Sequence, residues 1–175
     1  MTEYLVRSHH SGGFYITDGD PSVIEAICDV CDDYDAIEAS WDSENEEQKI
    51  DAIASVFTSE SITNAEEFDA RVKYAGECLE NDYESISSII DYIFEDSAEF
   101  TDTVYSLHED GFINDKEFDK LLKRCCDDLK SQLNIVKNSL GNYSLSNEHK
   151  SELKEEIGSC LSLKPTKKKK GKETE

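Results

Sequence analysis

Residues 84–107 read ESISSIIDYIFEDSAEFTDTVYSL. Ile86, Ile89, Ile90, Ile93 and Phe94 recur at intervals of three and four, and Phe100, Val104 and Leu107 continue the series. A helix turns by about 100° per residue, so this spacing lays one apolar stripe along one face. Acids and serines fill the remainder, as on an amphipathic helix that packs against others.

The pattern extends in both directions from this stretch. Ile50, Ile53, Ala54 and Phe57 fall at i, i+3, i+4 and i+7, and Phe68, Val72, Ala75 and Leu79 come close to it. Phe118, Leu121, Leu122, Cys125, Leu129, Leu133, Val136 and Leu140 mark a longer helix, and Leu153, Ile157 and Leu161 a last one from about Ser146 to Leu161. Ser43-x-x-Glu46, Asn64-x-x-Glu67 and Asn114-x-x-Glu117 have the form of capping boxes, and Gly111 and Gly141 are placed to stop helices. Apolar stripes must be buried on one another, which predicts a mainly α fold: an acidic helical bundle of five to six helices over residues 43–163. No internal repeat is visible.

Residues 1–42 differ. They hold the turn pairs Gly12-Gly13, Asp18-Gly19 and Asp20-Pro21, and the β-prone runs YLV and GFYIT, which suit a small hairpin across Ser8 to Gly13. Residues 164–175 form a basic segment, KPTKKKKGKETE, with nothing apolar to anchor it and an expectation of disorder. The chain of 175 residues is thus expected to be one domain with a small N-terminal lobe and a basic tail.

Charge narrows the function classes. Forty acids face 18 bases, for a net charge of −22, and six of the bases are Lys164, Lys167, Lys168, Lys169, Lys170 and Lys172. Between Thr17 and Asp110, 28 acids meet only Lys49, Arg71 and Lys73. Phosphates would be repelled, so direct nucleic-acid binding is not expected. A basic protein groove of the kind that holds nucleic acid is the complementary partner. The N-terminal residues lack an apolar signal core and no run approaches a membrane span, which gives the expectation of an intracellular, reducing setting. There the six cysteines are expected as free thiols or metal ligands rather than disulfides.

Cys28 and Cys31 form C-x-x-C, with His9 and His10 upstream and CDDYD following. Two thiolates so spaced hold half a zinc tetrahedron; His9 or His10 is the natural third ligand and Asp33 or Asp35 the fourth. A head so poor in apolar residues would gain its fold from the metal, and four protein ligands would make the zinc structural. The alternative is an amphipathic helix in PSVIEAICDVC with Val23, Ile27 and Cys31 inward as small hydrophobes. SLHEDGFINDKEF places Gly111 and Glu117 as in a calcium loop, but Ser106 and His108 occupy positions that need acids. Cys125, Cys126, Cys78 and Cys160 read as core residues. No nucleophile triad, phosphate loop or H-E-x-x-H occurs, so no enzyme is expected.

The opening YLVRSHHSGG followed by CDVCDDYD resembles short proteins encoded by phages of Gram-positive bacteria, over residues 4–38. There a Y-L-V-R-S-H segment and a Gly-Gly turn precede C-x-x-C and spaced aspartates. The whole chain is similar to the acidic, zinc-bound, helical anti-CRISPR proteins of streptococcal phages and prophages that inhibit Cas9. That resemblance implies a stoichiometric inhibitor in the bacterial cytoplasm. It would occupy a basic surface of Cas9 or the Cas9–guide RNA complex, as a DNA mimic, and block target DNA loading. It implies His9, Cys28 and Cys31 as zinc ligands with a matching acid at Asp33 or Asp35. Since Ser43 to Asp110 holds most of the charge, the partner-binding acids are expected among Glu46, Glu47, Asp69, Glu77, Glu84, Asp91, Glu95 and Glu99, on a protein more monomeric than oligomeric. An immunity protein neutralising a basic nuclease and a structural phage assembly protein are the alternative classes.

Overall fold

The computed structural model describes residues 45–161 and, as strand backbone, residues 2–8, 14–17 and 34–42. The strands are β1 (Thr2–Ser8), β2 (Phe14–Thr17) and β3 (Tyr34–Asp42). They form one antiparallel sheet in the order β2-β1-β3. Leu5 lies opposite Ile16 on one side and Ile37 on the other, with a register shift between Glu3 and Leu5. The β1–β2 link and the C-x-x-C lie outside the described residues. β3 has no counterpart in the sequence reading: its acids and alanines are poor strand formers, so its pairing with β1 carries it.

The chain is mainly α. Five helices follow: α1 (Glu46–Thr58), α2 (Ala65–Gly76), α3 (Asp82–Glu109), α4 (Asp115–Ser139) and α5 (Asn147–Leu161), with a 3₁₀ turn at Leu140–Asn142. Among the described residues, no helix is long and apolar enough to cross a membrane.

Asparagines begin four of the helices. An Asn oxygen accepts the backbone N–H groups that the first turn leaves unpaired. Asn64 accepts from Glu67 N at 2.9 Å and Asn81 from Glu84 N at 3.0 Å. Asn114 forms a complete capping box, in which Glu117 reaches back to Asn114 N at 2.9 Å. At α1 the cap is Asn45, not the expected Ser43; its oxygen takes Gln48 N at 3.2 Å. The Asn64 box is also half-made, because Glu67 turns to Thr63 N and Oγ1 instead.

α3 ends at Gly111, whose φ of 79° is the left-handed conformation. Gly111 N reaches His108 O and Phe112 N reaches Leu107 O, the paired bonds of a Schellman motif. These bonds and the Asn114 cap account for the SLHEDGFINDKEF stretch without calcium. Gly141 does not stop α4 by a positive φ; it sits in the 3₁₀ turn.

The long helices α3 and α4 run antiparallel as a spine, since Cys125 meets Ser97 and His108 meets Asp115. One core cluster joins α1 (Ile50, Ile53, Ala54) to Phe100, Val104 and Leu107 of α3 and Phe118, Leu121, Leu122 and Cys125 of α4. Phe57 stacks on Phe100 there, at 4.6 Å between centroids. The second cluster joins Phe68 and Val72 of α2, Ile86 to Ile93 of α3, Leu133 and Val136 of α4, and Leu153 and Ile157 of α5. Each fully buried Ile or Leu contributes about 1.5–3 kcal/mol of transfer free energy.

Candidate protein-interaction face

Twenty-eight residues of α3 carry eight acids and not one lysine or arginine; His108 is the nearest to a base. Stepping by three and four, Glu84, Asp91, Glu95, Asp102 and Glu109 fall on one face of the helix, and Glu99 borders it. All but the half-buried Glu99 are exposed. The stripe runs opposite the buried Ile86, Ile90, Ile93 and Val104 and is roughly 37 Å long at the helical rise. No ion pair reaches Asp91, Glu95, Asp102 or Glu109 among the described residues.

The field along this helix is visible in its neighbours. The Tyr92 phenol is pushed up from its ordinary value, first by the charge of Asp96, then by burial and by Glu60. Glu156 of α5 is also pushed up, mainly by burial and further by Asp91. Both shifts have the sign that burial and nearby negative charge share.

The opposite side of the bundle differs. α4 carries six lysines and arginines, and α1 takes up three of them. Glu46 accepts from Lys120 at 2.6 Å and from Lys116 at 3.2 Å. Those two hydrogen bonds, Lys120 first, hold its carboxyl below the ordinary range. Arg124 pairs with Asp51, and Lys123 with Asp127 within α4. A groove of about 660 Å³ lies between α1 and α4, where Glu47, Asp51, Asp127 and Asp128 face Lys120, Lys123 and Arg124. Its three bases offset three of its four acids, so its net field is weak.

The eight acids singled out in the sequence therefore separate. Glu46 is spent on α4, and Asp69 accepts from Lys73 at 2.8 Å and from Tyr143 Oη at 3.0 Å. Glu47 borders the α1–α4 groove, and Glu77 is the exposed residue that ends α2. Glu84, Asp91, Glu95 and Glu99 lie along the α3 stripe. Asp102 and Glu109 belong with them although the sequence reading did not name them; their spacing of seven and fourteen from Glu95 is the signal that marks them.

Of the zinc candidates, His9, His10, Cys28, Cys31 and Asp33 lie outside the described residues. Asp35 stands in β3 opposite Arg7. Among the described residues no group of three or more His, Cys, Asp or Glu side chains could hold a metal. Cys125 is buried in the first core cluster, where burial pushes its thiol up against hydrogen bonds to Ser97 and Thr101. Cys126 and Cys160 are half-buried. Cys78 is exposed, contrary to the core reading, because it follows Gly76 in the turn that leaves α2. His149 stacks on Tyr83 at 3.9 Å.

No protein-family model, curated protein or solved structure matches this chain.

Proposed function

We propose that the protein is a phage-encoded inhibitor of Cas9 whose docking face is the acidic stripe of α3. It would act by occupancy, with no catalysis of its own. The observation that supports this reading is the stripe itself: a solvent-facing helix side with five exposed acids and no lysine or arginine. Charge left unneutralised costs the compact state self-repulsion, and a basic groove relieves that cost on binding. Such a contact speeds encounter and weakens as salt screens it.

The test is a pull-down from a host expressing Cas9, with the wild-type chain and an Asp91→Asn, Glu95→Gln, Asp102→Asn, Glu109→Gln variant. Wild type is expected to recover Cas9, and the variant to lose about tenfold or more in affinity, mostly in on-rate. Recovery of a basic nuclease toxin and no Cas9 turns the assignment to an immunity protein. Partner-free oligomers that grow with concentration turn it to an assembly protein.

In the same reading a structural zinc organises residues 1–42 through Cys28 and Cys31, with His9 or His10 and Asp33 or Asp35 completing the set. Native mass spectrometry is expected to show one zinc, lost in Cys28→Ser/Cys31→Ser. A metal-free wild-type protein rejects the site.

A further inference from the structure

The groove between α1 and α4 has a polarity along its length. The two helices run parallel beside it: Glu46 meets Lys116 and Lys120, Asp51 meets Arg124, and Ser61, just past the end of α1, meets Asp128. The lining residues therefore fall in order. At the end where α1 begins, Lys120, Lys123 and Arg124 face Glu47 and Asp51. At the end where α1 finishes, Asp127 and Asp128 stand with the hydroxyls of Thr58 and Ser131 and no base. Between the ends, Ile50 and Ala54 give a buried apolar floor. The volume of about 660 Å³ is that of a small-ligand site.

Asp128 is the group in this groove that the fold leaves electrically unmatched. It is half-buried, and both of its printed partners are neutral: Ser61 Oγ donates at 3.0 Å and Gln132 Nε2 at 2.8 Å. Among the described residues no ion pair reaches it. Burial without a cation disfavours its charged form, so the carboxylate gains from any ammonium brought to it. Two neighbours favour the same sign. The last turn of α1 holds no base, and its unpaired carbonyls put partial negative charge at this end. Thr58 Oγ1 spends its proton on Ala54 O at 3.0 Å, which leaves its lone pairs to accept.

The other end can receive an anion. Lys120 is held by Glu46, but Lys123 and Arg124 are at least half exposed, in pairs whose acids are exposed too. Such pairs are weak and exchange partners readily. Arg124 also has more donors than its bond to Asp51 uses. From Lys123 and Arg124 to Asp127 and Asp128 is one step of four residues, about 6 Å along the axis. An anion that draws Lys123 away from Asp127 frees that carboxylate to join Asp128 on a cation.

We propose that this groove binds an elongated small zwitterion, with its ammonium at Asp128 and Thr58, its carboxylate at Lys123 and Arg124, and its methylenes along Ile50 and Ala54. The site lies on α1 and α4, apart from the α3 stripe, and does not depend on the Cas9 assignment.

The test titrates the full chain with 6-aminohexanoate, whose charges stand a comparable distance apart, by calorimetry and amide NMR. Saturable binding is expected at a dissociation constant of about 1 mM or tighter, modest for a ligand of this size. Shifts are expected along residues 50–58 and 120–131. Hexylamine and hexanoate, each lacking one charge, should bind about tenfold or more weakly, since each leaves one end of the groove unmatched. Asp128→Asn keeps the shape and the acceptor for Ser61, so the bundle should stay folded while affinity falls by about tenfold or more. Arg124→Gln should weaken 6-aminohexanoate and leave hexylamine unaffected. No saturable binding, equal binding of hexylamine and 6-aminohexanoate, or unchanged affinity in a folded Asp128→Asn protein overturns the proposal.

Discussion

Glu117 is buried at the point where three elements meet, and its removal tests how the bundle is held. Its carboxylate closes the α4 capping box on Asn114 N at 2.9 Å and meets Lys49 Nζ of α1 at 3.4 Å. Both side chains are mostly buried, at 9 % and 12 % exposure. Lys49 also donates to the Phe112 carbonyl in the turn between α3 and α4.

Glu117→Ala removes the reciprocal cap bond, worth about 1 kcal/mol. It also strands the Lys49 charge, and breaking a buried pair in this way costs about 3–5 kcal/mol. The Phe112 carbonyl remains, and the lysine stem can carry its ammonium toward water, which returns part of that cost. The expected net loss is about 2–4 kcal/mol. For a chain of this size that lowers Tm by about 5–15 °C. Glu117→Gln keeps the acceptor and should lose less. In Lys49→Met/Glu117→Leu both charges leave together, so at least half of the stability lost in Glu117→Ala should return. Urea denaturation of the three variants measures all of this. A Glu117→Ala protein within about 0.5 kcal/mol of wild type, the spread of ordinary surface changes, would refute the reasoning. So would a double variant no more stable than Glu117→Ala.

Leu133, fully buried in the second cluster, should cost about 2–5 kcal/mol as Leu133→Ala, read by urea midpoint. Gly111→Ala should cost about 1–2 kcal/mol through backbone strain alone, since a Cβ there meets nothing within 4 Å. A neutral Gly111→Ala in thermal melts would contradict the Schellman turn. Asp128 is raised above its ordinary 3.8 by burial, against hydrogen bonds from Ser61 and Gln132. Because the folded state binds the proton more tightly, its contribution to stability is fully present below 3.8 and lost as pH rises through the raised value. Asp128→Asn should therefore raise Tm at pH 7 and leave it nearly unchanged at pH 3. An equal change at both pH values would show that charge burial is not the cause.

The helical segments were legible because their signals are local. The stripe of Ile86, Ile89, Ile90 and Ile93 and the Asn64, Asn114 and Gly111 caps each lie within a few residues of what they control. Where two local signals competed, the reading slipped: Ser43 and Asn45 both precede α1, and Asn45 caps it. Asn81-x-x-Glu84 has the same form as the boxes at Asn64 and Asn114, and Asn81 does cap α3. β3 carries no such local signal, since its strand character comes from pairing with β1, with Ser8 opposite Tyr34 and Thr2 opposite Asp42.

For the interaction face, the sequence alone determined the sign and density of charge, and the α3 acids at helical spacing. Which acids remain available was decided by tertiary structure. Lys116 and Lys120 lie 70 and 74 residues from Glu46, and only the packing of α4 against α1 brings them to it. The same packing pairs Lys116, Lys120 and Arg124 of α4 with acids of α1, while among the described residues no ion pair reaches Asp91, Glu95, Asp102 or Glu109 of α3. The periodicity of a helix is written in neighbouring residues. The pairing of charges depends on which helices touch, and burial of apolar stripes between distant segments sets that.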